Sequence, residues 1–357
     1  MSRAARISFA AAATLVCALA LAFALHASIL ESAVETVDLS AMTPDEKSAH
    51  WTKRIQEVGD AQAYEEFKAS TPSVKPNEMH WEAHIFGDAL YDLRGLAGIE
   101  TCDTHAEYAC FHAFMIRAVD EYGPTAAGKL HAVCVEQLGE FAHECLHGMG
   151  HGILGVLGHT KEDLDRAVDI CDDYPDPNPA MSKYGCTSGA VMEYNMYTMN
   201  SGRETPRPFS EDIALEPCRS MEGRENRRAC TFWQPQWWIA SLKHEPPLTM
   251  AAHIGKLCRA MNENDPEMYH VCIEGIGNRI SSVIDFDPSR TAEICAAIDP
   301  DPDTQYVCHI FTAFRFSRYF PLEKAYTACD GLSEDDSRRC RTQLKDYTAY
   351  YDQILKY

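Results

Sequence analysis

The hydrophobic and polar positions of this chain follow helical patterns, and signals for strands are scarce. Alternating runs of Val, Ile and Thr are few. The segment from Leu257 to Ile280 shows the basic unit. A helical pattern ends near Cys258, Asn264 or Asp265 offers an N-cap, and Pro266 fits the first turn of a second helix. The pattern predicts an all-α protein built from antiparallel helical hairpins.

Cysteines mark the same unit along the chain. Fourteen of the fifteen cysteines form seven successive couples, whose second members recur every 32 to 44 residues. This interval is typical of helical-hairpin repeats. We therefore expect one disulfide within each couple, joining the end of one helix to the start of the next. The couples are Cys102/Cys110, Cys134/Cys145, Cys171/Cys186, Cys218/Cys230, Cys258/Cys272, Cys295/Cys308 and Cys329/Cys340.

A further hairpin without cysteines is predicted before the first couple, at residues 60–69 and 80–93. Together the units predict about eight antiparallel hairpins that form an (α/α) toroid or a tight α-solenoid. One helix departs from the pattern, because Pro235 is expected to kink or shorten it.

The N-terminus has the features of a targeting segment. Arg3 and Arg6 precede an apolar run over residues 7–25, and Ala22-Phe23-Ala24 offers a small-residue cleavage site. Residues 1–30 fit a cleaved signal peptide, and they also fit an uncleaved membrane anchor because the run is about long enough to span a bilayer.

The rest of the chain divides simply. Residues 31–45 are predicted to be a linker, and residues 46–357 a single disulfide-stapled helical-repeat domain. Export and paired cysteines together predict a periplasmic or extracellular location. The net charge of −21 argues against a nucleic-acid partner, because binding to phosphates requires Lys and Arg.

The helices that follow the second cysteines share the pattern C-x-[HE]-G-x-G-[HN], best seen after Cys145 and Cys272. At about 100° per residue, the polar positions two and six residues after the cysteine fall on the face opposite the disulfide. The glycines flank this polar stripe and allow neighbouring helices to pack tightly. We expect the stripe to face an inner groove or lumen. Its members are His84, Asp88, His112, His147, His151, Ser188, Glu274 and Asn278.

Imidazoles on this inner wall predict a site for a divalent transition metal, Zn, Fe or Cu. The expected ligands are His84, His112, His147 and His151. His147 and His151 are also expected catalytic residues, with Glu274 as a base or a ligand. Two alternatives stay open for His147 and His151: binding or acid–base chemistry without a metal, and structural hydrogen bonding between close-packed helices.

Three other features are weaker candidates. His80 lies one turn before His84 and could join the same site. The methionines of residues 192–199 could ligate Cu(I), although core packing is their commoner role. The aspartates of residues 299–303 have EF-hand-like spacing, but Thr304 stands where that loop requires Gly, so capping turns are the better interpretation.

The run from Cys145 to Gly152, CLHGMGHG, resembles the glycine-rich inner helices of lanthionine cyclase-like (α/α) toroids. The resemblance implies a toroid with a zinc ion held by Cys and His. The chain departs from that family in its repeated cysteine couples and its expected export.

Two classes of function follow from these observations. The first is a metal-dependent enzyme or metal-binding protein that takes a small molecule or peptide in the inner groove. The second is a non-catalytic repeat scaffold that binds a peptide or partner protein on its concave face. Convergence of the inner-wall side chains favours the first, and their dispersal along an open groove favours the second.

Overall fold

The computed structural model describes residues 34–74, 76–103, 105–197 and 205–354. Its regular elements are fifteen α-helices and several 3₁₀ turns, and no strand occurs in these ranges. The all-α prediction is therefore confirmed. The predicted targeting segment, residues 1–30 with its apolar run 7–25, lies outside the described residues. No helix within the described ranges is long and apolar enough to cross a membrane.

The first seven helices form the N-terminal half of the domain. They are α1 (Pro44–Val58), α2 (Asp60–Ser70), α3 (Pro76–Arg94), α4 (His105–Tyr122), α5 (Ala127–Leu138), α6 (His143–Leu157) and α7 (Lys161–Asp172).

The remaining eight helices complete the domain. They are α8 (Cys186–Met196), α9 (Arg224–Ser241), α10 (Pro247–Met261), α11 (Pro266–Arg279), α12 (Thr291–Ile298), α13 (Pro302–Ser317), α14 (Leu322–Ala325) and α15 (Glu334–Ile354).

Side-chain caps explain where several helices begin. Thr160 caps α7, and Asp265 caps α11 by accepting from the Met268 amide, directly before Pro266 in the first turn. Asp301 accepts from the Thr304 amide and caps α13. Its neighbour Asp299 instead contacts Arg259. These aspartates serve as caps and ion-pair partners, as the capping interpretation predicted.

All seven predicted disulfides are present within their couples. Cys258 near the end of α10, for example, bonds Cys272 in α11, with the Cα atoms 5.8 Å apart. Each bond closes a short loop and removes conformational freedom from the unfolded chain, worth about 3 kcal/mol in the chain-entropy model. The seven disulfides indicate an oxidising, extracytoplasmic environment.

Helix α3 and the helices that carry the second cysteines pack side by side in chain order. We call α3, α4, α6, α8, α9, α11 and α13 the inner helices, with α1 packed on α3 at one end and α15 on α13 at the other. Glycines make this packing close, as predicted. A Cβ on Gly150 of α6 would overlap the carbonyl oxygen of Cys186 in α8, and a Cβ on Gly189 of α8 would overlap that of His147 in α6.

One local prediction differs in part from the structure. Pro235 does not shorten its helix, because α9 continues to Ser241, and the alternative of a kink at Pro235 stays a prediction. The indole nitrogens of Trp237 and Trp238 donate to the carbonyls of Arg207 and Ala214, and these tertiary bonds hold the helix past the proline.

The described part of the predicted linker, residues 34–45, packs on the domain. Leu39 is fully buried, and the Val37 and Leu39 amides donate to the hydroxyls of Ser70 and Ser73. Helix α1 then begins at Pro44, after a Thr43 cap.

Candidate metal centre

Five imidazoles from three consecutive inner helices meet at one place, which we call the histidine cluster: His80 and His84 of α3, His112 of α4, and His147 and His151 of α6. The ring of His112 lies between the other two pairs, with its centroid 5.3 Å from that of His80 and 4.9 Å from that of His147. The four-residue spacing on α3 and α6 places both members of each pair on the same face. The cluster is therefore a direct product of helical register and close helix packing.

The His147/His151 pair has its tautomers fixed by neighbouring groups. The Ser188 hydroxyl donates to the Gly185 carbonyl at 2.6 Å, so it accepts from Nδ1–H of His147, also at 2.6 Å. Nδ1–H of His151 donates to the Glu193 carboxylate at 3.0 Å. In the neutral rings both Nε2 atoms then carry lone pairs, and these atoms lie 3.2 Å apart. A metal ion or a shared proton between the two Nε2 atoms would satisfy both lone pairs at this separation.

The second group consists of His80, His84 and His112. His80 donates from Nδ1 to the Ala106 carbonyl at 3.0 Å, and its Nε2 lies 3.2 Å from Nε2 of His84. Each of the three residues offers one nitrogen, and these nitrogens all lie within 4.8 Å of one another. The group therefore has the composition and spacing of a three-histidine metal site.

Both Nε2 separations fit metal coordination. A tetrahedral ion with metal–nitrogen bonds of about 2.0–2.1 Å holds its ligand atoms about 3.3–3.4 Å apart. The observed 3.2 Å in each pair is close to this value. Such a separation also suits one N–H···N hydrogen bond. For His147 and His151 that bond would require an imidazolium ring, because both Nδ1 atoms are already donors.

Burial works against such a positive charge. It lowers the pKa of His147 well below the ordinary value, and the neighbouring His151 and His112 lower it further. Burial and the neighbouring His80 likewise hold the pKa of His84 well below its usual range. Neutral imidazole is the form that binds metals, so His84 and His147 are in their ligand state at neutral pH.

The carboxylate of Glu193, which was not predicted from the sequence, contacts the histidine cluster from α8. Glu193 of α8 is fully buried, and its two oxygens contact His151 and His159, each at 3.0 Å. Carboxylates that orient metal-binding histidines in this way raise the basicity of the ligand. A buried carboxylate also costs free energy unless positive charge lies nearby, and a metal ion on His151 would supply it.

One face of the cluster opens into a cavity of about 540 Å³ bounded by the inner helices. His80, His112 and His147 line it, together with Glu144, whose carboxylate lies 3.9 Å from Nε2 of His112. Trp233 packs against the His147 ring at 4.7 Å between centroids. The cavity therefore gives a small molecule access to the histidines.

Charged residues of both signs also line the cavity. The guanidinium of Arg279 lies 4.4 Å from the Trp233 ring centroid, and Arg315, Arg318 and Lys243 line the space together with Glu245 and Asp285. Asn278, expected on the inner wall, lines the cavity as well.

The structure brings together four of the five residues expected to carry chemistry. His84, His112, His147 and His151 converge, whereas Glu274 does not line the cavity. Its carboxylate pairs instead with Nζ of Lys183 at 2.5 Å. His80 is the fifth member of the cluster. Its position one helical turn before His84 is the feature of the sequence that indicated its place there.

The resemblance to lanthionine cyclase-like toroids implied a cysteine ligand, and the structure corrects this. Cys145 is bonded to Cys134 and has no thiolate to offer. Met192 lines the cavity, but Met196 is buried in the core. No protein-family model, curated protein or solved structure matches this chain.

Proposed function

We propose that this extracytoplasmic protein binds a divalent transition metal, Zn, Fe or Cu, at the histidine cluster and uses it on a small molecule held in the cavity. The observation that carries the proposal is the His147/His151 pair. Its two Nε2 atoms lie 3.2 Å apart, and hydrogen bonds from Nδ1 to Ser188 and Glu193 hold the two rings in place. Imidazole nitrogen is a favoured ligand for all three metals.

The cavity supports a catalytic use of the metal. A metal ion with open coordination positions polarises a bound oxygen or lowers the pKa of bound water. Within this chain, Ser188 and Glu193 orient the ligands, and Glu144 at the cavity wall is placed to accept or return a proton. Trp233 and Arg279 offer an aromatic surface and a positive charge to the substrate.

The size of the cavity favours a small molecule over a peptide. About 540 Å³ lies within the usual range for small-molecule sites, roughly 300–1,000 Å³. We propose that the inner helices curve around this space as a tight solenoid or toroid. The convergence of four predicted histidines supports this function over the alternative of an open scaffold groove.

Elemental analysis tests the proposal. Oxidised wild-type protein, dialysed to equilibrium against Zn²⁺, should bind metal stoichiometrically, and His147→Ala and His151→Ala should bind less. His131→Ala is the matched control, because this histidine bonds the Pro175 carbonyl on the surface and lies outside the cluster. Equal, substoichiometric metal in all four proteins would refute the proposal.

A further inference from the structure

We propose that the histidine cluster holds two metal ions at separate positions, one at His80, His84 and His112 and a second at His147 and His151. This inference rests on the proposed function and specifies its site. A two-metal centre suits substrates in which one ion activates the attacking oxygen and the other stabilises the leaving oxygen.

Five nitrogens in this arrangement cannot share one ion. Two ligands of a single ion lie at most about 4.2 Å apart, since each bond is about 2.1 Å long. The nitrogens of His80, His84 and His112 lie within 4.8 Å of one another, so a small movement of these side chains would let all three bind one ion. Among the described residues, no other three His, Cys, Asp or Glu side chains have ligand atoms this close. His147 and His151 therefore form a position of their own.

The second position has its own supporting groups. Ser188 and Glu193, both from α8, hold Nδ1 of His147 and His151, whereas the Ala106 carbonyl in the first turn of α4 holds Nδ1 of His80. Different structural elements thus orient the two sets of ligands. Loss of one supporting hydrogen bond should weaken its own metal position and leave the other intact.

The two positions should differ in affinity. The first has three protein nitrogens, as catalytic zinc sites often do. The second has two, so more of its coordination positions remain for water or substrate, and His147 lines the cavity. We expect the first ion to bind more tightly and the second to exchange with the solution in the cavity.

Metal counting by equilibrium dialysis with Zn²⁺ tests the inference. Wild-type protein and the control His131→Ala should bind two ions per chain. The double variants His80→Ala/His84→Ala and His147→Ala/His151→Ala should each bind one. Glu193→Gln keeps all five imidazoles, and it should weaken only the looser of the two binding steps, by about 10- to 100-fold.

Each result has a definite meaning. One ion in wild-type protein, lost in both double variants, would show a single shared site and overturn the inference while leaving the proposed function intact. No ion in wild-type protein would overturn the proposed function as well. Two equivalents of Cu²⁺ give an independent test, because neighbouring ions should show magnetic coupling by electron paramagnetic resonance. Additive, uncoupled spectra would contradict a paired centre. Circular dichroism and a non-reducing peptide map establish that each variant is folded.

Discussion

The close contact of α6 and α8 gives the sharpest prediction about stability. Gly150 of α6 lies against the backbone of α8, where an added Cβ would overlap the Cys186 carbonyl oxygen and lie 2.8 Å from the Ala190 nitrogen. Both neighbours are backbone atoms, so no side chain can turn away. Gly150→Ala must therefore push the two helices apart.

The size of the effect follows from two opposing terms. Alanine gains about 1 kcal/mol over glycine in helix propensity. A normal carbon contact is about 3.5 Å, so the contact with the Ala190 nitrogen alone requires about 0.7 Å of separation, and the overlap with the Cys186 oxygen requires more. A gap of even about 0.7 Å forfeits roughly a quarter to a half of each dispersion contact. Overpacking of this kind costs about 1–3 kcal/mol and sometimes more. Because the overlap involves two backbones, we expect a net loss of roughly 2–4 kcal/mol in the free energy of unfolding.

Urea unfolding of the oxidised, metal-free protein, followed by circular dichroism, measures this loss. Gly128→Ala in α5 is the matched control, since the three atoms nearest to an added Cβ there all belong to the Tyr174 side chain, the closest at 2.9 Å. That partly exposed ring can move, so the control should be neutral or slightly stabilised. A Gly150→Ala protein as stable as wild type would refute the account of the close-packed inner helices. Zinc affinity should fall in the same variant, because separating α8 from α6 moves Ser188 away from His147.

Two further predictions concern charge. Glu274→Gln should leave metal content unchanged and lower the free energy of unfolding by roughly 1–3 kcal/mol, because it leaves the buried Lys183 ammonium without its carboxylate partner. Loss of metal in a variant that is still folded would instead make Glu274 a ligand. The metal-free protein should become less stable as the pH is lowered. Burial lowers the folded-state pKa of His84 and His147, so the unfolded chain binds more protons than the folded chain below about pH 6.5. Each histidine then lowers the free energy of unfolding by up to about 1.4 kcal/mol per pH unit. Urea unfolding from about pH 7.5 to 5.5 checks this, and a flat profile shared with His147→Gln would contradict it.

Much of the fold was readable from the sequence because covalent and steric constraints are local. The spacing of the cysteine couples predicted every disulfide, since each bond closes a short turn between consecutive helices. The glycines beside the polar stripe predicted close helix packing for the same reason. The expectation that Pro235 could shorten its helix failed because tryptophan hydrogen bonds to distant carbonyls, which the sequence does not reveal, support the helix past the proline.

The positions of the candidate site residues were predictable only where spacing within a single helix places them on one face. His147 and His151 share a face by spacing, and so do His80 and His84. Glu274 occupies the position that corresponds to His147 in the repeat, but its carboxylate pairs with Lys183 from the 3₁₀ turn Pro179–Tyr184.

Glu193 was missed because its role depends on the stagger between α6 and α8. No residue pattern within one helix records that stagger. The same reason hid Glu144, which faces the cavity from the start of α6.

The most direct test of the histidine cluster as a metal centre is anomalous diffraction from crystals of the oxidised protein grown with Zn²⁺. Data above and below the zinc edge locate the ions without reference to activity. The account predicts one peak about 2.1 Å from the nitrogens of His80, His84 and His112, and a second about 2.1 Å from Nε2 of His147 and His151. A cluster with well-ordered imidazoles and no anomalous peak among them would contradict it.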